Sequence, residues 1–271
     1  MSKREDRKER KTEKAKSKID AVVRTEIDAE IAAGGLAIYE ADGTLFHVAP
    51  PDVANSLRFF VSRLQQTERV TDRETIAVTS ALEGEGVTTI ARSLAAVLAH
   101  DRDRSVCLLE TNWWNSSVDT TTSNWWLKSD NGEAPQRRLG LADVLDGSCT
   151  LEDALLVTSD PRLKVLSSGN LPMATRAAVA SSSSFTDAVE LLTKLFDVVV
   201  IDAPPVLKAS EASTIVRHAD AVALVVRQGV TTERQVKLAI DELTGPELLG
   251  IILNRWATHV PKFLQRIALS T

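Results

Sequence analysis

Cysteine is scarce: Cys107 and Cys149 are the two in 271 residues. Cys107 lies inside an apolar strand-like run and Cys149 follows a Gly-Ser turn. With no ligand spacing between them, neither a disulfide framework nor a thiolate zinc site is expected, and a reducing compartment is. The four histidines, His47, His100, His218 and His259, share no metal spacing either. No apolar run approaches the roughly 18–20 residues needed to cross a bilayer, and no signal-peptide pattern opens the chain. A cytoplasmic location is therefore expected, with peripheral attachment at the inner face of the membrane as an option.

Charge of one sign is missing from neither half, but it is unevenly placed. Residues 1–18 carry nine Lys/Arg and four acids, a net +5, whereas the whole chain carries −5, so the remainder carries −10. A basic arm on an acidic body can be drawn to anionic lipid or to an acidic partner. The plainer reading is a solvated tail, because this segment has few apolar residues to bury. Nucleic acid is not an expected partner.

Ile19, Val22, Val23, Ile27 and Ile31 recur at helical spacing, and Gly34-Gly35 stops that helix. Leu36–Glu40 and Thr44–Val48 flank Ala41-Asp42-Gly43 as a short hairpin. A helix is expected from Asp52 to Gln66. Strands are then expected at 75–79, 105–109, 163–167, 197–201, 221–226 and 248–253. Helices are expected at 88–100, 139–146, 151–157, 184–195, 209–217, 231–244 and 261–268. Nearly all-apolar strands bounded by helices predict an α/β fold, a doubly wound and mostly parallel sheet with helices on both faces. The division that follows is a basic tail (1–18), a helix–hairpin appendage (19–50) and one α/β domain (51–271).

Four motifs carry chemistry. Thr75–Ser80 leads into Glu83-Gly84-Glu85-Gly86-Val87-Thr88-Thr89, the strand, glycine loop and helix start of a P-loop. In such a loop backbone N–H groups cradle phosphates, a lysine reaches the β/γ oxygens, and the hydroxyl after it holds Mg²⁺. Here Gly84, Glu85, Gly86, Thr88 and Thr89 keep the loop and its hydroxyls, while Val87 stands where the lysine is expected. The second motif, Val106–Asn112, delivers Glu110 and Asn112 at a strand end. The third, Asp197–Val206, delivers Asp202. The fourth, Leu249–Arg255, ends on Asn254.

In this order the motifs resemble the bacterial tyrosine kinases of capsular and exopolysaccharide assembly, a branch of the deviant-Walker P-loop ATPases. The likeness covers roughly residues 50–260 and includes Gly140–Leu145 and Val165–Gly169. It implies an ATP and magnesium site in which Gly84 to Thr89 bind phosphates, Thr88 and Asp202 hold the metal, and Asn254 lies near the adenine. It also implies a partner: a membrane chain-length-determinant protein (polysaccharide co-polymerase) or an active paralogue, in an assembly that can be oligomeric.

The departures from the family pattern concern the chemistry itself. Val87 removes a cation, and Glu83 adds an anion beside the expected phosphates. The family's Asp-x-Asp, which helps hold the metal and activates the attacking tyrosine, becomes Glu110 and Asn112, and asparagine is no useful proton acceptor. The usual C-terminal tyrosine cluster is missing, since Tyr39 is the one tyrosine. Of the Glu-x-x-Arg-x-x-Arg oligomerisation pattern, Arg58 alone remains. Together these losses predict a catalytically impaired pseudokinase, a regulatory or scaffolding subunit with ATP and Mg²⁺ bound weakly or not at all. On that reading Glu110, Asn112 and Asp202 are remnants of a catalytic set. The alternative is an active tyrosine kinase or weak ATPase that works through a non-standard P-loop and recruits another basic residue.

Plainer roles compete for each residue. Thr88, Thr89 and Asp202 can satisfy backbone donors, and Asn254 can be ordinary turn chemistry. Trp113, Trp114, Trp125 and Trp126 either bury themselves against the body or form an interaction surface.

Overall fold

The structure, a computed structural model, describes residues 24–66, 75–113 and 138–255. The basic tail, the start of the first helix, Trp114, Trp125, Trp126 and the helix expected at 261–268 lie outside the described residues.

A helix at 24–32 (α1) ends at Gly34, whose φ of +99° suits a residue without a Cβ. Strands β1 (Leu36–Tyr39) and β2 (Leu45–Ala49) form the expected antiparallel hairpin. Helix α2 (Pro51–Gln66) follows. The α/β body then runs β3 (Thr75–Ser80), α3 (Val87–Arg102), β4 (Val106–Glu110), α4 (Leu141–Leu145), α5 (Leu151–Ala154), β5 (Leu155–Val157), β6 (Leu163–Leu166), α6 (Met173–Ala180), α7 (Ser183–Leu195), β7 (Val198–Asp202), α8 (Ala212–Val216), β8 (Ala221–Arg227), α9 (Glu233–Glu242) and β9 (Glu247–Asn254).

Among the described residues, seven strands make one sheet in the order β5-β6-β4-β7-β3-β8-β9. Every pairing is parallel except β5 against β6. Alternation within the strands explains why both faces are covered. Ile76, Val78, Val106, Leu108, Val198 and Val200 point into a core shared with α2 and α3. Ala77, Cys107, Leu109, Val199 and Ile201 point into the opposite core, shared with α4, α7 and α8. This is the doubly wound sheet predicted from the apolar runs.

Two elements differ from expectation. Residues 151–157 split into a one-turn helix capped by Thr150 and the short strand β5. Leu155 to Val157 are β-prone and extend along β6, so edge pairing overrides the helical reading. Helix α6, rich in alanine, was not expected as a separate element. The hairpin guards the β5 edge: Tyr39 O accepts from Ser159 N at 2.7 Å, and Ala41 N donates to Val157 O at 3.2 Å. Covering an edge in this way blocks intermolecular pairing.

Helix α3 is the hub, lying between sheet and hairpin with ten buried residues, among them Leu94 to Ala99 without a break. His47 of β2 meets Ser93 of α3 at 2.9 Å (Nε2 to Oγ). Burial, with the Arg92 charge assisting, pushes the His47 imidazole down to about 3. Above its ordinary value of 6.5 the ring is neutral folded or unfolded. As pH falls below 6.5 the unfolded chain takes up a proton that the fold resists, so stability is lost on acidification. Urea melts should show a loss of about 2 kcal/mol between about pH 7 and pH 5 from this residue. His47→Gln should lose that much less over the same interval; equal losses in both proteins would remove His47 from the account.

Candidate functional site

The order of strands reverses around β3, with the chain moving to β4 on one side and later to β8 on the other, which opens a crevice at the C-terminal strand ends. Residues 81–86 span that crevice. Gly84 (φ +72°) and Gly86 (φ +95°) take left-handed conformations, and a Cβ on Gly86 would collide with the Asn254 side chain. The loop thus needs glycine at position 86 for both conformation and space. It opens directly into the 16-residue helix α3, whose first-turn N–H groups face outward as anion donors.

The loop is held from behind by Glu85, which is 1% exposed. Its Oε2 accepts from Leu82 N at 2.8 Å, and its Oε1 accepts from Arg227 N at 3.1 Å and from the Thr231 hydroxyl. Asn254 Nδ2 donates to the Glu85 carbonyl at 2.8 Å, and Asn254 Oδ1 accepts from Arg255 N. The side chains of Glu85 and Asn254, both expected at the nucleotide, are therefore engaged in fixing the loop to the end of β8 and β9. Only the loop backbone at Glu85 is left for a ligand.

Val87 is 6% exposed and belongs to the core that α3 shares with α2 and the sheet. It offers apolar packing where the sequence pattern expects a cation. Thr88 is half-buried and Thr89 exposed.

Registry places the acids together. Glu110 and Asp202 are cross-strand neighbours on β4 and β7. Asp202 is 1% exposed; the Thr88 hydroxyl lies close enough to favour its charged form, while its Oδ1 has no hydrogen-bond partner among the described residues. Burial, and then the neighbouring Glu110 charge, push the Asp202 carboxyl up to about 7; Thr88 and Arg92 pull the other way. Asn112 Oδ1 is likewise buried without a hydrogen-bond partner among the described residues. The Asp202 carbonyl accepts from Thr111 N (3.0 Å) and Thr111 Oγ1 (2.8 Å), which locks the two strand ends together.

Magnesium takes hard oxygen donors and usually keeps several waters, needing only one or two carboxylates beside the phosphates. The Thr88 hydroxyl and the unpartnered oxygens of Asp202 and Asn112 suit that demand. Buried oxygens without donors are costly alone, and a cation would satisfy them.

Arg92 escaped the sequence reading. It reaches from α3 to Glu110, with Nη2 at 2.6 Å and Nε at 3.0 Å from Oε1, and its guanidinium lies 4.6 Å from the Phe46 ring centre. The signal was there: position 92 is one helical turn beyond Thr88 and is the first cation after β3.

Trp113 is 2% exposed, donates from Nε1 to Ser168 O at 3.0 Å, and packs in the core on the α7 side. Of the two roles open to it, burial is the one it takes, and it is no part of an exposed surface. Arg58, the remnant of the oligomerisation pattern, bonds within the chain to Asp101, Asn55 and Gly34 O. Cys107 is fully buried, its thiol pushed up to about 12 by burial, and is chemically quiet.

No protein-family description matches the chain. It is similar to tyrosine-protein kinase CpsD of Streptococcus agalactiae, 30% identical over 186 residues, or 68% of this chain and 76% of that protein. Tyrosine-protein kinase YwqD of Bacillus subtilis strain 168 is 28% identical over 208 residues, covering 75% and 82%. Among solved structures, the BceF tyrosine kinase domain matches 74% of this chain and 73% of its own, at 26% identity and a TM-score of 0.57.

Proposed function

This chain belongs to the bacterial tyrosine-protein kinase family, and from that premise we propose that it is a magnesium- and ATP-binding subunit of capsule or exopolysaccharide assembly whose phosphoryl transfer is slow. The observation that carries this reading is Thr88 beside Asp202 beneath an intact glycine loop, with Asp202 Oδ1 lacking a hydrogen-bond partner among the described residues. A chain that had given up metal binding would gain by replacing that carboxylate, because a buried charge without full pairing is expensive. That the relatives are tyrosine-protein kinases also favours the catalytic reading over the silent one.

In this reading the loop backbone at Gly84 and Gly86 and the first-turn N–H groups of α3 bind the phosphates. Thr88 and Asp202 hold the metal, which supplies neutralisation of the phosphate charge. Glu85 and Asn254 keep the loop in its binding shape. Glu110 is the remaining carboxylate at the position of the family's tyrosine-activating acids.

A second reading is favoured by one observation: Val87 is spent in the core and brings no charge to the terminal phosphates. On it, the protein is a scaffolding pseudokinase. Under either reading the partner is a membrane chain-length-determinant protein or an active paralogue. None of the described helices is long and apolar enough to cross a membrane. The basic residues of the first 18 positions favour attachment at the inner membrane face.

Phosphate release by the full chain separates the readings. Magnesium-dependent turnover clearly above an Asp202→Ala control supports the catalytic one. Equal release from both proteins excludes it and leaves the scaffold.

A further inference from the structure

We infer that Arg92 takes over the phosphate-side role of the missing lysine, supplying from within the same chain the positive charge that faces the terminal phosphates of a bound nucleotide. The inference rests on the magnesium–nucleotide reading of the site and adds to it the residue that recognises the triphosphate.

Helix geometry gives the direction. Arg92 follows Thr88 by four residues on α3, so the two share one face. Side chains on a helix lean toward its N-terminus, which aims the Arg92 guanidinium at the glycine-loop end rather than away from it. There it meets Glu110, the cross-strand neighbour of Asp202, while Thr88 lies on the Asp202 side. The four residues bring one hydroxyl, one guanidinium and two carboxylates together between α3 and the strand ends.

The guanidinium is held without being used up. Both of its bonds to Glu110 come from the Nε–Nη2 edge and converge on one oxygen. The Nη1 side of the fork takes no part in them. The Phe46 ring, 4.6 Å from the guanidinium carbon, fixes its plane from the hairpin. The side chain keeps 16% exposure, so it is not sealed off from solvent. From Ala81 to Ala91 there is no lysine or arginine, so no other cation of the loop or the helix start competes for the role. A planar fork also suits phosphate oxygens, which it can hold through two parallel bonds.

The test is isothermal titration of the full chain with Mg-ATP and with AMP. Arg92→Gln should weaken ATP binding by about 10- to 100-fold, the range expected of one charge-assisted contact, and leave AMP binding as it was. Val87→Lys placed in the Arg92→Gln background should restore ATP binding, which also guards against a variant that merely folds poorly. The inference fails if Arg92→Gln binds ATP within about threefold of the parent. A parent protein that binds no Mg-ATP overturns the nucleotide reading itself, and this inference with it; a parent that binds while Arg92→Gln binds equally well overturns the inference alone.

Discussion

Val87→Lys should raise the affinity for Mg-ATP by about 10- to 100-fold, with turnover rising alongside it. The scaffold for the new ammonium already exists. Position 87 is the first residue of α3, directly after the left-handed Gly86, and the loop around it is fixed by Glu85 and Asn254. The cost is modest. Val87 gives up a small apolar contact in the core, and the lysine stem can cover the same surface while its head reaches the crevice. A Val87→Met control has similar bulk and no charge, so it should leave affinity unchanged. If Arg92 already supplies part of the lost charge, the two substitutions will not be additive. The gain from lysine should then be larger in the Arg92→Gln background than in the parent. Unchanged ATP affinity in Val87→Lys, with folding intact, would mean that charge at this position is not what limits the site.

The second large effect falls on stability rather than chemistry. Glu85→Ala should destabilise the protein by about 3–5 kcal/mol, read as a drop in the denaturation midpoint. The carboxylate is buried and satisfies two backbone N–H groups and a hydroxyl from two separated stretches, Leu82 on one side and Arg227 with Thr231 on the other. Removing it leaves all three donors unsatisfied and uncouples the glycine loop from the β8–α9 turn. Glu85→Gln keeps one acceptor oxygen and should cost roughly half as much. If Glu85→Ala melted with the parent while binding fell, Glu85 would be a ligand contact and not a latch.

Position 85 shows where sequence reading stops. The glycines at 84 and 86 announce a phosphate loop, and that reading needs only local backbone rules. Which way the intervening glutamate turns depends on Arg227 and Thr231, more than 140 residues away, and no spacing rule reaches that far. Asn254 is similar: its place at a strand end was legible, while its bond to the Glu85 carbonyl comes from β9 lying beside β8 at the edge of the sheet.

The sheet was legible because its inner strands, β3, β4, β7 and β8, are buried on both faces. Runs such as Val198–Ile201 carry no polar residue, and β3, β4, β6, β7 and β8 each lead on to a helix. β5 was hidden because three apolar residues after Ala154 continue a helical pattern as readily as they start a strand. Arg92 lies beyond the glycine-loop motif, and a lone arginine on an amphipathic helix looks like a solvated face until Glu110 and Phe46 converge on it.

The emphasis on lost chemistry also shifts. Val87, Asn112 and the missing tyrosines suggested a silent relative. The oxygens of Asp202 and Asn112 without hydrogen-bond partners among the described residues, with Thr88 beside Asp202, keep in place the metal-side set that the proposed slowed site needs.

Hydrogen exchange on the full chain, with and without Mg-ADP, bears on this most directly. Slowed exchange at the amides of residues 82–90, dependent on magnesium and lost in Asp202→Ala, is the predicted result. Exchange in that segment unaffected by saturating Mg-ADP would contradict a nucleotide site between β3 and α3.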